Sequence, residues 1–193
     1  MNLGMAKSIV LASTIAMIVL RAPHGLRSRF VEIAHDRKGR LEVLLLSLVS
    51  IGFVIPFIWS VSTIFAFAKF PLQIGSLIAG VLLMGMGLWI LHVSHMDLGT
   101  NWSSTLQIRE HHRLITEGIY RKIRHPMYLS IFVYGLGQAL VIPNWFAGPA
   151  CLVMFGIFYV FRLPAEEKLM CEVFGKEYEA YMARTTRLIP KVW

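Results

Sequence analysis

Residues 72–93 read LQIGSLIAGVLLMGMGLWILHV, an apolar run without a single Asp, Glu, Lys or Arg. As a helix it is long enough to cross the roughly 30 Å hydrocarbon core of a bilayer. A helix suits that setting because its backbone groups bond within the segment. Comparable runs lie at about 3–20, 41–67, 128–142 and 146–161, so five spans are expected. Composition agrees: 193 residues, 56% hydrophobic and 16% charged, with a mean hydropathy of +0.61, too apolar for an ordinary soluble domain. The first run begins nearly neutral and no small-residue cleavage site follows it, so it reads as a retained helix rather than a signal peptide. Pro56 is expected to kink the second span. Ile142-Pro143-Asn144-Trp145 reads as a tight turn joining the last two spans into a hairpin.

The expected fold class is therefore an all-α integral membrane protein, one membrane domain over 1–193. Residues 1–93 supply three spans and a basic loop at 21–40, and 94–193 carry the candidate chemistry. The net charge of +8 is segregated rather than spread. Arg21, Arg27, Arg29, Arg37, Lys38 and Arg40 fall in the first loop, and Arg109, Arg113, Arg121, Lys122 and Arg124 in the third. Arg162, Lys168, Lys176, Arg184, Arg187 and Lys191 follow the last span, while only Lys7 and Lys69 fall on the other side. The positive-inside rule makes the basic side cytoplasmic, with the N-terminus outside and the C-terminus inside. This distribution signals orientation and lipid-headgroup contact; a nucleic-acid partner is not expected. For a prokaryotic host, a chain without a targeting extension is expected in the inner or plasma membrane.

Cys151 and Cys171 should sit at different depths, which predicts reduced thiols. His92 and His95, three apart and followed by Asp97, are compatible with a metal site, but equally with interfacial histidines at a helix end; no metal is expected. Gly75 with Ala79, Ser76 with Gly80, and Gly135 with Ala139 have the spacing that lets membrane helices approach closely. Gly135-Leu136-Gly137 is no dinucleotide fingerprint, since it follows no strand and lacks the third glycine.

The polar strip Gly118-Ile119-Tyr120-Arg121-Lys122-Ile123-Arg124-His125-Pro126-Met127-Tyr128 sits between apolar runs. Such a strip at a membrane helix entrance suggests a ligand, although His125-Pro126 also suits a plain helix start and the tyrosines an interfacial belt. Beyond the last span, Pro164–Arg187 has apolar residues at helical spacing and Glu, Lys elsewhere. It reads as an amphipathic cytoplasmic helix broken near Gly175. Arg162 and Glu166 lie one turn apart and can pair.

Taken together, Gly118-Ile119-Tyr120, Arg124-His125-Pro126-Met127-Tyr128, Arg162-Leu163-Pro164-Ala165-Glu166-Glu167 and Phe174-Gly175-Lys176-Glu177-Tyr178 resemble the isoprenylcysteine carboxyl methyltransferase family. The related phospholipid methyltransferases share much of the pattern. The resemblance runs from about Asp97 to Lys191, with the motifs in the family's order. It implies an integral membrane enzyme that moves a methyl group from S-adenosylmethionine to a lipophilic acceptor, leaving S-adenosylhomocysteine. By the same resemblance, His112, Arg113, Leu114 and Ile115 match adenosine-side contacts, and Gln107 is a looser match. Tyr120, His125, Pro126, Met127 and Tyr128 match the main cofactor cradle. Arg162 and Glu166 match the arginine and glutamate at the reaction centre, Arg162 toward the substrate and Glu166 also toward the cofactor's amino-acid end. The adjacent Glu167 competes with Glu166 for the functional role.

The implied partners are the bilayer and a lipophilic small molecule or prenylated peptide. A prenylcysteine carboxylate fits Arg162 best, because it is ionised at neutral pH and needs no general base. Pro126 is expected to leave backbone groups near His125 open to a ligand. A phospholipid or small-thiol methyltransferase is the first alternative. More distant are an NADPH-dependent reductase of the sterol type, and a lipid-binding or transport protein without catalysis. Transport is disfavoured by polar residues gathered at one boundary rather than at mid-membrane.

Overall fold

The computed structural model describes the backbone of residues 3–28, 33–36, 39–99, 107–109 and 113–190. Side chains are described for 3–26, 39–99 and 113–190. Six helices carry the fold: α1 (Leu3–Ser28), α2 (Arg40–Val61), α3 (Ile74–Leu98), α4 (Pro126–Val141), α5 (Ala150–Phe174) and α6 (Lys176–Arg184). α1, α2 and α3 are each long and apolar enough to cross a membrane. α4 is a shorter apolar helix, and the apolar stretch of α5 ends where Arg162 enters. The outward faces of these helices remain strongly apolar, with Leu82, Trp89, Val160 and Phe161 all exposed, as expected of side chains that meet lipid.

Glycines set how the helices pack. A Cβ on Gly80 would stand 2.7 Å from the Gly137 carbonyl oxygen, and one on Gly137 would stand 2.6 Å from that of Gly80. Gly87 similarly faces the backbone of Ser130 and Tyr134. α3 and α4 therefore touch backbone to backbone, an approach that only residues without side chains allow. Gly135 opens toward Leu152 of α5, and Gly52 lets α2 close on Cys151 and Met154. The expected roles of Gly80 and Gly135 hold; Gly75 faces open space instead.

The two ends of the bundle can be told apart. At one end Lys69 bridges Asn144, Phe70 N–H donates to the Pro143 carbonyl (3.0 Å) and Trp145 N–H to that of Ala68 (3.0 Å). Lys7 donates to the Ser62 carbonyl there as well, at 2.9 Å. At the other end β1 (Ile33–Asp36) and β2 (Gln107–Arg109) form an antiparallel two-stranded ribbon, and Ile123 bridges Thr186. The described parts of the three basic segments thus lie at one end.

The all-helical class holds, with one short ribbon between the connections before α2 and after α3, and two expectations are corrected. The second run does not continue as helix to residue 67: Ser62 turns extended (φ −136°) after Val61, and Ala66–Ala68 form a separate single turn. Without ending either helix, Pro23 lies inside α1 and Pro56 inside α2, since a proline removes one helical donor but need not end a packed helix. Finally, no new helix starts at Pro164: α5 is continuous through it, anchored on both sides by buried Arg162, Leu163, Glu167 and Leu169. The break at Gly175 holds, with φ +53° and its N–H on the Cys171 carbonyl at 2.8 Å. Cys151 and Cys171 are both free, and the described residues contain no metal-ligating cluster.

Candidate functional site

The polar strip is held at the basic end by its neighbours. Gly118 is left-handed (φ +57°) and lies so close to Asp97 that a Cβ would be 2.0 Å from Oδ2. The Asp97 carboxylate accepts the Ile119 N–H at 2.7 Å, docking the strip on the end of α3. Tyr120 is buried; its hydroxyl donates to the Ser94 carbonyl (3.4 Å) and its own carbonyl accepts from the Tyr181 hydroxyl (2.6 Å). Burial, reinforced by Tyr181, Glu166 and Asp97, raises the Tyr120 phenol well above its ordinary value, so it is a neutral donor. Burial likewise raises Tyr181, to about 12.

The C-terminal segment then closes over the strip. Arg124 N–H donates to the Thr186 carbonyl at 2.8 Å and His125 N–H to that of Arg187 at 3.0 Å. Pro126 occupies the first turn of α4, where its missing donor costs nothing, and the His125 carbonyl accepts from Tyr128 and Leu129 N–H. The expectation that Pro126 leaves the His125 backbone open to a ligand is therefore corrected: both of its backbone groups are engaged. What His125 presents is its ring, stacked on Tyr128 with centroids 5.3 Å apart and planes 10° from parallel.

Two adjacent carboxylates divide the labour. Glu167, 7% exposed, receives Arg124 Nε (3.2 Å), His125 Nε2 (3.4 Å) and Arg187 Nη2 (2.8 Å). Burial alone would raise its carboxyl, but hydrogen bonds from His125 and Arg187 outweigh that and hold it down to about 2. Arg124 also donates to the carbonyls of Met182 and Thr185. Glu167 thus ties the strip, α5 and the C-terminal segment together.

Glu166 lies on the neighbouring face, with 31% of its side chain exposed. It accepts from the Tyr128 hydroxyl, lies 3.5 Å from Arg162 Nε and 3.8 Å from His125 Nδ1. The Tyr128 ring is ringed edge-on by Phe155, Phe158 and Tyr159 at 5.7, 6.0 and 5.9 Å. Arg162 lies over Phe158, 5.7 Å from its centroid, and pairs through Nη1 with Glu42 of α2. A reachable carboxylate, an aromatic wall and a guanidinium edge thus meet within one helical turn. That set suits a small organic cation with an anionic group beside it.

Of the residues expected from sequence, His125, Tyr128, Arg162 and Glu166 converge directly, and Tyr120 walls the strip through Tyr181. Pro126 and Met127 form the first turn of α4. Leu114 and Ile115 are half-buried and Arg113 exposed in the connector leading to the strip. Gln107 belongs to β2 by its backbone; its side chain, and all of His112, lie outside the described residues. Sequence reasoning missed Glu42, treated Arg187 as an orientation charge only, and placed Arg124 in the strip and its motif without giving it a site role. Glu42 carried a signal: an ionisable residue in the first turn of an otherwise apolar membrane helix.

Comparison with known proteins places this geometry. The protein-S-isoprenylcysteine O-methyltransferase B of Arabidopsis thaliana is 29% identical over 115 residues, covering 58% of each chain. A protein-S-isoprenylcysteine O-methyltransferase of Rattus norvegicus is also 29% identical, over 118 residues, 58% of this chain and 40% of that one. The chain thus spans well under two thirds of the length of these relatives. A solved structure of the eukaryotic intramembrane Ras methyltransferase, isoprenylcysteine carboxyl methyltransferase, has the same fold: TM-score 0.56 at 20% identity, covering 82% of this chain and 55% of that one. A family model described as phospholipid methyltransferase matches residues 76–177. That segment runs from α3 to the start of α6 and contains Tyr120, His125, Tyr128, Arg162, Glu166 and Glu167, and the chain belongs to the phospholipid methyltransferase family.

Proposed function

We propose that this protein is a membrane methyltransferase that transfers a methyl group from S-adenosylmethionine to the carboxylate of a prenylated cysteine. The observation that carries the reading is the convergence of Arg162, Glu166, Tyr128 and His125 at the end of the α4–α5 hairpin. The residues present fit the donor: Glu166 is partly exposed, so it can receive an ammonium, and the Tyr128, Phe158 and Tyr159 rings suit a sulfonium and an adenine face. When bound, the donor supplies an electrophilic methyl group. Glu166 would orient its amino-acid end, with the Tyr128 hydroxyl fixing that carboxylate. Gln107, His112, Arg113, Leu114 and Ile115 are assigned to the adenosine end.

Arg162 would hold the acceptor carboxylate through its guanidinium fork. No side chain need abstract a proton, because the acceptor is already ionised, so alignment supplies most of the rate. The helices' apolar outer faces would take the prenyl chain from the lipid side. By the charge bias, the basic end faces the cytoplasm, and α4 with the apolar part of α5 completes a set of five spans.

The test is methyl transfer in detergent micelles with four acceptors offered separately. These are a prenylated cysteine with a free carboxylate, its methyl ester, phosphatidylethanolamine and a long-chain thiol. Transfer to the free carboxylate and not to the ester is expected. Transfer to phosphatidylethanolamine or the thiol in its place would overturn the acceptor assignment while leaving methyl transfer intact.

A further inference from the structure

Resting on that reading of Arg162, we propose that Glu42 is its positioning residue: from α2, Glu42 grips one edge of the guanidinium so that the opposite edge faces the acceptor carboxylate. Glu42 lies in the first turn of α2, outside the segment matched by the family model. Its carboxylate meets Arg162 Nη1 across 120 residues of chain. Both are buried, at 4% and 5% exposure, so each charge depends on partners rather than water. The three sides of the guanidinium are used unequally. Nη1 is held by Glu42, Nε lies 3.5 Å from Glu166, and the flat face covers Phe158 at 5.7 Å. Arg162 also hydrogen-bonds the Tyr128 side chain, and Nη2, the terminal nitrogen not paired with Glu42, is the one assigned to the acceptor. A free arginine side chain samples many rotamers; a grip from a second helix removes that freedom before the acceptor arrives. A carboxylate on α2 also makes the position of Arg162 depend on the closure of α2 against α5, which Gly52 permits.

The experiment compares E42Q, E42D, R162Q and the E42Q/R162Q double variant as full-length protein. Measured are the Kd of a prenylated cysteine for protein loaded with S-adenosylhomocysteine, the Kd of S-adenosylhomocysteine itself, and the thermal midpoint. E42Q is expected to weaken acceptor binding about tenfold and leave S-adenosylhomocysteine binding within twofold. In the R162Q background the same change should add nothing to the acceptor Kd, and E42D should weaken binding about threefold. Folded E42Q with wild-type acceptor affinity would overturn the proposal, leaving the pair a structural contact. So would an equal effect in both backgrounds, or tighter binding, which would make Glu42 a competitor for Arg162. If E42Q does not fold, E42D decides by the same criterion. Wild-type protein that binds S-adenosylhomocysteine but no prenylated carboxylate would instead overturn the assignment of the acceptor, and this proposal with it.

Discussion

Arg162→Ala is expected to lower kcat/KM for a prenylcysteine acceptor by about 10²–10³-fold, while S-adenosylhomocysteine binding changes much less. Truncating one partner of a buried, hydrogen-bonded charge pair typically costs about 2–5 kcal/mol, and each ~1.4 kcal/mol is tenfold. Arg162 is 5% exposed, so water cannot replace it at the acceptor. The same change also removes the guanidinium from Glu42 and Glu166, so a lower thermal midpoint should accompany the kinetic loss. Arg162→Lys separates the two effects. It restores a charge for both carboxylates but presents one compact ammonium in place of a planar fork. Stability should largely return, whereas kcat/KM should stay at least about tenfold down. A folded Arg162→Ala protein with undiminished turnover would remove Arg162 from the reaction.

The second large effect lies at Glu167. Glu167→Gln leaves Arg124, His125 and Arg187 converging on a neutral amide, and breaking a buried ion pair from one side costs about 3–5 kcal/mol. At about 2–4 °C per kcal/mol for a chain of this size, the thermal midpoint at pH 7 should fall by about 6–20 °C. The pH dependence has a definite sign. The folded carboxyl lies at about 2 against an ordinary 4.5. Its contribution is therefore complete above pH 4.5 and lost as the pH falls toward 2. The gap between wild-type and Glu167→Gln midpoints should stay constant from pH 7 to 5 and narrow steadily as the pH falls from 4.5 toward 2. A gap as wide at pH 2.5 as at pH 7 would mean that the Glu167 charge is not the source.

How far the sequence foretold this molecule depends on the range of the forces involved. α3 and α4 were legible to within a few residues, because apolar runs bounded by polar residues need only local chemistry. The break at Gly175 was legible because a left-handed turn favours glycine. Arg162 with Glu166 followed from helical spacing alone. The helix expected over 164–187 was set apart from the last span, whereas burial on both sides of Pro164 carries α5 through it. Segment length also misled: residues 62–67 are apolar enough for a span, yet Asn144 donates to the Phe65 carbonyl (2.6 Å) and holds them as a turn. The site was half legible. Its motif residues announced themselves, but the division between Glu166 and Glu167 is set by Arg124 and Arg187, 43 and 20 residues from Glu167. Glu42 reaches Arg162 across 120 residues, and no local pattern marks such a pairing.

The measurement that bears most directly on the central claim is calorimetric titration of detergent-purified protein with S-adenosylhomocysteine and, separately, NADPH. Tyr120→Ala and Glu166→Ala serve as controls. The account predicts that S-adenosylhomocysteine binds and NADPH does not, with Glu166→Ala weakening binding at least tenfold through loss of the carboxylate that orients the amino-acid end. Tyr120→Ala should weaken binding less, because Tyr120 acts as a wall. Binding of NADPH alone would contradict the account and make the strip a nicotinamide site.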